Sequence, residues 1–540
     1  MIRNDIVRVY REVHSWVGIL CGLFLFIAFY AGALSMFEES IQRWASPPLK
    51  PSHITPIEKT QTLIDRVITE HPSAGRNFNI VLQSSPDRPG RMHWEEREPG
   101  ADDHALPTHF YADLSTEGEL LIRKEQASPV AQLIDTLHQQ VGILIDHELA
   151  MPITGIVSAL YAIALVSGVI ILLPTLVKDL FALRLGGKVK RMWLDVHNLL
   201  GVFSLPFHII MALTAVVFAL HDPFYGTQMV SIHADKKVPL EGPPAVSPPS
   251  ENAPFYPVEK LIGKLESSAP EFSPDILNYR QTRGPKPKQM LFVMGKDPKH
   301  HASRPRHGLV SLDAYTGEIL STEYMPGQQE VLQATVSSFF ALHFGNYGGA
   351  ITQWLYFFLG LAGAFLFYSG NLLWIEAKRK QNRKKSGFRS DHFLYQLSVG
   401  VSLGCIAGIS AVVAMAKLAP GAIMNVPAQY NGLYYLLFFV CVVWAFLKRS
   451  DAKKNARNLL YFCAAVTALI PLASLLSALG LLGWNHGDHS IWVDLVACVF
   501  VTAFCLMALK QRPDAATSTQ RANAKQRTES PQALSSTLDS

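Results

Sequence analysis

Charge is what this 540-residue chain has little of: Asp, Glu, Lys and Arg together make up 17% of it, against about a quarter in ordinary soluble proteins. With apolar residues at 49%, that shortage excludes a purely water-solvated fold and points to a membrane as solvent. Cysteine is scarce as well. All six (Cys21, Cys405, Cys441, Cys463, Cys498 and Cys505) fall in long apolar runs, which leaves the polar stretches without a disulfide framework or a thiolate metal box. There is no Walker loop, no dinucleotide glycine fingerprint after a strand, no H-E-x-x-H and no G-x-S-x-G. The chain therefore carries no nicotinamide or flavin site of its own.

What the chain has instead is apolar runs of membrane-spanning length. They recur at Val17–Phe37, Ile153–Leu173, Leu199–Leu220, Ile351–Ile375, Leu397–Met415, Leu433–Leu447, Leu459–Leu479 and Ile491–Leu509, about eight spans, the sixth of them short. Basic residues cluster on alternate sides of these runs: Arg3, Arg8 and Arg11; Lys178 to Arg191; Lys378 to Arg389; Lys448 to Arg457; and Lys510 with Arg512. Lys and Arg beside spans stay in the cytoplasm, so both termini are expected inside and the two long polar segments outside. The net charge of +5 is accounted for by these clusters, and no nucleic-acid partner is expected. The first run is too long for the apolar core of a cleaved signal and reads as an uncleaved anchor. The Ser-, Thr-, Gln- and Ala-rich tail after Arg512 reads as disordered.

The first part of the chain occurs twice, and such repeats organise everything after them. Tyr10-Arg-Glu-Val-His14-Ser-Trp-Val-Gly18 leads into the first span and Trp193-Leu-Asp-Val-His197-Asn-Leu-Leu-Gly201 into the third. Each is followed by a polar segment opening with an amphipathic helix, Ile57–Glu70 or Val258–Ser267. Strand-like runs come next, then a strand-turn-strand holding Asp113…Gly118-Glu119 or Asp313…Gly317-Glu318. Each segment closes on a Leu-His pair, Leu137-His138 or Leu342-His343, just before the next span.

These markers resemble the PepSY-associated transmembrane helix family over roughly the first 390 residues. The resemblance implies an α-helical polytopic membrane protein with two small α+β PepSY-like periplasmic domains. Its boundaries here are an N-terminal segment and first span at 1–37, the first domain at 38–130, an interfacial helix with the second and third spans at 131–220, and the second domain at 221–330. An interfacial helix with the fourth span follows at 331–390, four further spans at 391–512 and the tail at 513–540. The resemblance also implies the inner membrane of a Gram-negative bacterium, kinship with ferrisiderophore reductases and iron-regulated membrane proteins, and haem b held in the helix bundle.

Topology puts His14 and His197 at one level of the membrane and His138 and His343 at the other. A bis-histidine haem takes two imidazoles from opposite sides of one iron, which duplicated helices supply, so the expectation is two haems b forming a wire across the bilayer. Any one of these histidines alone reads equally well as an interfacial residue bonded to water, headgroups or a backbone carbonyl; four at duplicated positions favour ligation. Gly18 and Gly201, one turn on, would admit a porphyrin or a neighbouring helix. His208 is a rival for the outer haem: eleven residues past His197 it returns to nearly the same helix face about 16 Å deeper. Its counterpart in the first unit is Leu25, and symmetry favours His138 with His343. Trp16, Tyr30, Trp354, Tyr356 and Phe357 are candidates for the space between haems or for ordinary bundle core. His300, His301 and His307, and His486 with His489, read as solvated loop residues, and His53, His71, His93, His104 and His109 share no metal-ligand spacing on a helix.

The expected function is reduction of a ferric siderophore in the periplasm by a dihaem b-type protein. The competing class is a non-enzymatic transporter or scaffold whose exported domains bind a ligand or partner. The spans lack the paired broken helices of a transporter, although Asp494 in the last span has no place in the scheme. Reporter enzymes fused after Asp102 or Lys299 should read as periplasmic and after Lys188, Lys385 or Lys454 as cytoplasmic; a cytoplasmic reading at Asp102 would reverse the orientation.

Overall fold

The computed structural model describes residues 4–47, 49, 53–85, 88–96, 107–125, 128–174, 189–232, 244–250, 253–282, 284–303, 308–381, 390–419, 427–447, 452–482 and 491–511. The basic connections at 178–188, 382–389 and 448–451, the tail, and His104, His307, His486 and His489 lie outside them. Eight helices among the described residues are long and apolar enough to cross a membrane. The chain is thus a multi-pass membrane protein with small α+β elements between its spans.

The first unit runs α1 (Asn4–Ser35), α2 (Glu38–Ala45), α3 (Thr60–Glu70), strands β1 (Asn77–Val81), β2 (Met92–Glu96), β3 (Thr108–Leu114) and β4 (Leu120–Glu125), then α4 (Val130–Gln139) and α5 (His147–Leu172). The second repeats that order. Its elements are α6 (Val189–Phe203) with α7 (Leu205–Ile232), α8 (Val258–Ser268), β5 (Ser273–Gln281), β6 (Gln289–Lys296), β7 (Gly308–Leu312), β8 (Ile319–Ser321), α9 (Val331–Phe344) and α10 (Gly349–Gln381). The third span is thus two helices broken at Ser204. Pro206 explains the break, because it has no N–H to give Val202 and its ring crowds that carbonyl.

The two polar segments join edge to edge into one antiparallel sheet of eight strands in the order β4-β3-β2-β1-β5-β6-β7-β8. Strands β1 and β5 meet at its centre, with Phe78 opposite Tyr279 and their rings stacked 4.6 Å apart. Alternation along each strand sends Phe78, Ile80, Met92, Trp94, Leu277, Tyr279, Leu291 and Val293 to one face. That face is covered by α3 through Leu63, Ile64 and Val67 and by α8 through Val258, Leu261 and Leu265, the i, i+3/i+4 stripe of an amphipathic helix. Joining the units at β1 and β5 removes one exposed edge from each.

The duplicated Asp-Gly-Glu turns have diverged. Gly317 and Gly118 both sit at positive φ, as a tight strand connection requires, and Asp313 makes a local turn by accepting from the N–H groups of Tyr315 and Thr316. Asp113 is instead fully buried. Its Oδ1 accepts from the N–H groups of Thr55 and Arg91 at 2.9 and 3.1 Å, and its Oδ2 pairs with Arg123 at 2.9 Å.

In the membrane part, α1, α5, α6–α7 and α10 form a ring in which each contacts the next. Beside it stands a second bundle of α11 (Ser390–Leu418), α12 (Pro427–Phe446), α13 (Ala452–Ala478) and α14 (Ile491–Lys510). Helix α11 is buried almost all round. Gly400, Gly404 and Gly408 line its contact with α12: a Cβ at any of them would come within 2.7 to 2.8 Å of α12 atoms, so these small residues set the helix separation. Asp494 has a place here. It accepts from Ser474 and from Trp44 Nε1 of α2, at 2.9 and 3.1 Å, while Lys417 donates to Ser474 and lies over the Trp44 ring.

Asp113→Ala removes the acceptor for two buried N–H groups and takes the carboxylate from a mostly buried guanidinium. It should cost about 3 kcal/mol, read as a lower unfolding midpoint of the sheet, whereas Asp313→Ala in the exposed turn should cost under about 1 kcal/mol.

Candidate functional site

Four of the five candidate histidines sit in two pairs. In one, His14 of α1 faces His197 of α6 with ring centroids 6.2 Å apart. In the other, His138 in the last turn of α4 faces His343 in the last turn of α9 at 6.1 Å. A metal–imidazole bond is about 2 Å, so two imidazoles facing one metal through Nε2 have ring centres about 6 Å apart. Both spacings match that value.

The helices that hold these rings are also duplicated in detail. His14 Nδ1 lies 2.8 Å from the Ala164 carbonyl and 3.4 Å from Ser167 Oγ, with Gly168 against the ring. His197 Nδ1 lies 3.2 Å from the Leu366 carbonyl and 3.1 Å from Ser369 Oγ, with Gly370 against the ring. The acceptor carbonyl, the serine and the glycine stand at i, i+3 and i+4 in both α5 and α10. Ser167 and Ser369 give their own hydrogens to backbone carbonyls, so each imidazole donates from Nδ1. His138 Nδ1 donates to the Ala28 carbonyl at 2.9 Å and lies against Gly32, whose Cβ would come within 2.6 Å of it. His343 Nδ1 donates to Thr214 Oγ1 at 2.6 Å, because that hydroxyl spends its hydrogen on the Ile210 carbonyl.

Each ring's Nδ1–H is thus committed, and among the described residues Nε2 carries no hydrogen bond in any of the four. Imidazoles that ligate a metal are held this way. Gly18 and Gly201 supply the space: a Cβ on Gly18 would meet nothing within 4 Å, and one on Gly201 only a Leu366 methyl at 3.8 Å. The glycines that touch the rings are others, Gly168, Gly370 and Gly32. The donor set of each pair fits a bis-histidine haem, and Gly18 and Gly201 leave room beside the first.

The Leu-His pairs lie before the apolar cores of their spans in sequence, yet the fold carries them inward. Helix α4 packs on α1 and α9 on α7. Val141 and Gly345, three and two residues past the histidines and both at positive φ, follow the ends of these helices and turn the chain back into the next span. Ala28 lies fourteen residues beyond His14 on α1, a rise of about 21 Å at 1.5 Å per residue, and that separates the two pairs.

His208 joins neither pair. His208 packs on α10 as His197 does: a Cβ at Gly363 would stand 3.1 Å from the His208 ring and one at Gly370, seven residues on, 3.3 Å from the His197 ring. It is buried between the pairs with Nδ1 2.5 Å from the Tyr161 hydroxyl, and its Nε2 has no partner among the described residues. Around it lie Phe29, Tyr161, Phe207 and Phe367, with centroid distances to its ring of 5.3 to 6.1 Å. Phe29 follows Ala28, which holds His138, and Phe367 follows Leu366, which holds His197. The two phenylalanines meet edge to face at 5.1 Å, so the pairs are bridged by rings whose neighbours in sequence anchor them. Of the aromatics singled out from the sequence, Tyr356 joins this cluster, packing on Phe207 at 5.4 Å and bonding the Leu342 carbonyl beside His343; Trp16 is exposed, Trp354 packs on Phe37 and Trp492, Phe357 on Phe37, and Tyr30 against Phe26 and Phe500. A search for repeated Ser-Gly pairs one span later would have found Ser167-Gly168 and Ser369-Gly370; nothing local marks Phe29 or Phe367.

Of the remaining histidines, His300 pairs with Asp297 at 2.7 Å in the short helix 298–303. His93 and His109 meet on neighbouring strands, with His93 Nε2 3.1 Å from His109 Nδ1. Burial, His109 and Arg88 push the His93 imidazole down to about 3, so it is neutral at any physiological pH.

A sequence model of the family described as PepSY-associated TM region matches residues 11–377, a stretch that contains all five candidate histidines and ends before α11. No curated protein matches the chain.

Single alanine substitutions test the pairing. If each pair holds a haem, His14→Ala and His197→Ala should each lose the same one, His138→Ala and His343→Ala the other, and His208→Ala neither, as read by pyridine-haemochrome quantification. Loss of different spectral components from His14→Ala and His197→Ala would break the first pair.

Proposed function

The chain belongs to the family of PepSY-associated TM regions, and from that premise we propose that it is a dihaem b-type oxidoreductase that carries electrons across a bacterial inner membrane to a ferric siderophore complex. The observation that carries the reading is the pair of imidazole couples, 6.2 and 6.1 Å between ring centres, at duplicated positions. In this reading His14 with His197 and His138 with His343 hold one haem each through Nε2, and haem supplies a reversible one-electron couple.

The chain's own residues do the rest. Nδ1–H donation to Ala164, Leu366, Ala28 and Thr214 fixes each ring's tautomer and raises its strength as a ligand. The apolar surround of Phe29, Phe207 and Phe367 keeps water from the space between the pairs, which limits solvent reorganisation when charge moves through it. His208 and Tyr161 are positioning residues in that space. The five basic clusters support cytoplasmic termini and a periplasmic sheet, so electrons from a cytoplasmic reductase or from quinol would run outward. The sheet would then dock or screen the ferric complex. Siderophore oxygen donors are hard and prefer ferric iron, so one added electron weakens the complex without breaking the ligand.

The purified protein, reduced with dithionite, should give a low-spin b-type difference spectrum with about two haems per chain, and adding a ferric siderophore should reoxidise it. A featureless spectrum would leave the transporter or scaffold reading in its place. Haem that fails to reoxidise with any ferric chelate would keep the electron-transfer role and remove the substrate.

A further inference from the structure

The covered face of the sheet leaves its opposite face to polar residues, and three of these have the make-up of a metal centre. Residues 93 and 95 of β2 point to the same side, and the register sets Glu95 directly across from His109 of β3 and His93 across from Tyr111. The imidazoles of His93 and His109 lie nearly parallel, 13° apart, with centroids 5.4 Å from each other. His109 Nδ1 stands 3.1 Å from His93 Nε2 and 3.5 Å from Glu95 Oε1, and one donor atom from each of the three lies within 4.8 Å of the others. From this geometry we infer that His93, Glu95 and His109 bind a divalent first-row transition-metal ion on the open face of the sheet, at a site separate from the membrane histidines.

Donors bound to one such ion at about 2.1 Å stand about 3 to 3.5 Å apart. Two of the distances already have that value. The third closes by a rotation of the Glu95 side chain, which is 44% exposed and free to turn. Two imidazoles and one carboxylate, with the remaining positions open, suit ferrous iron and zinc and reject hard cations that want oxygen alone.

The surroundings hold the His93 ring in place. Asn79 stands behind it, its amide Nδ2 3.3 Å from His93 Nδ1, and accepts in turn from Asn278. Tyr111 stacks on His93 at 4.8 Å and is anchored through its hydroxyl to Glu125. Both contacts orient the ring from outside the metal shell, the arrangement that tunes ligating imidazoles. Without a cation the same residues satisfy one another as a hydrogen-bonded ladder, and binding experiments separate the two roles.

The experiment uses the full chain in detergent, treated with chelator, and titrated with cobalt(II) by visible absorption and with zinc(II) by calorimetry. Wild type should take up one cation that Glu95→Gln, His109→Ala and His93→Ala each bind at least about tenfold more weakly, since loss of even an outer partner costs 10- to 100-fold. Melting curves of Glu95→Gln, an exposed isosteric change, should match wild type and separate lost ligation from lost folding. Equal uptake by wild type and all three variants, or none by wild type, overturns the site. Haem content recorded on the same samples should be unchanged in the variants, and a chain without haem that still binds cobalt leaves this inference standing while removing the previous one.

Discussion

An imidazole N–H buried in hydrocarbon without a partner costs several kcal/mol, and the first bundle is arranged around meeting that demand four times. His14 gives its Nδ1 hydrogen to α5, His197 to α10, His138 to α1 and His343 to α7. Each bond crosses from one helix to another, so the four of them tie the ring of helices together. Each also leaves Nε2 as the nitrogen still able to act. Packing and chemistry therefore depend on the same contacts: the small residues Gly168, Gly370 and Gly32 are there because a Cβ would enter the space the rings occupy.

Duplication accounts for the symmetry, and its exceptions mark where the two halves have parted. The axis relating α1 to α6–α7 and α5 to α10 also relates β1 to β5, so two meanders that would each expose an edge become one sheet. Asp113 is a buried anchor for Thr55, Arg91 and Arg123, while Asp313 caps an exposed turn. His208 stands where the first unit has Leu25, and only the second unit breaks its helix, at Ser204. His208 and its partner Tyr161 lie between the two imidazole pairs.

The second bundle works by different physics. Lipid gives no hydrophobic drive for helices to associate, and α11 is held at its centre by close backbone approach at Gly400, Gly404 and Gly408 and by the buried group of Lys417, Ser474, Asp494 and Trp44. Trp44 comes from α2 of the first unit, so the same polar group fastens the two bundles to each other. No histidine pair occurs in it among the described residues.

Span positions, the repeat and the four paired histidines were legible in the sequence because each rests on local pattern: runs of apolar residues, a motif recurring at one offset, a helix period. Amphipathic helices at Ile57–Glu70 and Val258–Ser267 were legible for the same reason and appear at Thr60–Glu70, behind a short turn, and at Val258–Ser268. The fate of His208 was not, because nothing local tells that its Nδ1 meets the Tyr161 hydroxyl of another helix. Phe29 and Phe367 are ordinary apolar residues until α1 meets α10. His93, Glu95 and His109 share no helical spacing, and what brings them together is strand register, a one-residue choice that reverses the face of every side chain and is set by hydrophobic burial against α3 and α8. Which segments enter the membrane and which residues recur in pairs follow from local pattern. Which of those residues touch depends on how whole helices and strands dock, and no local period encodes that.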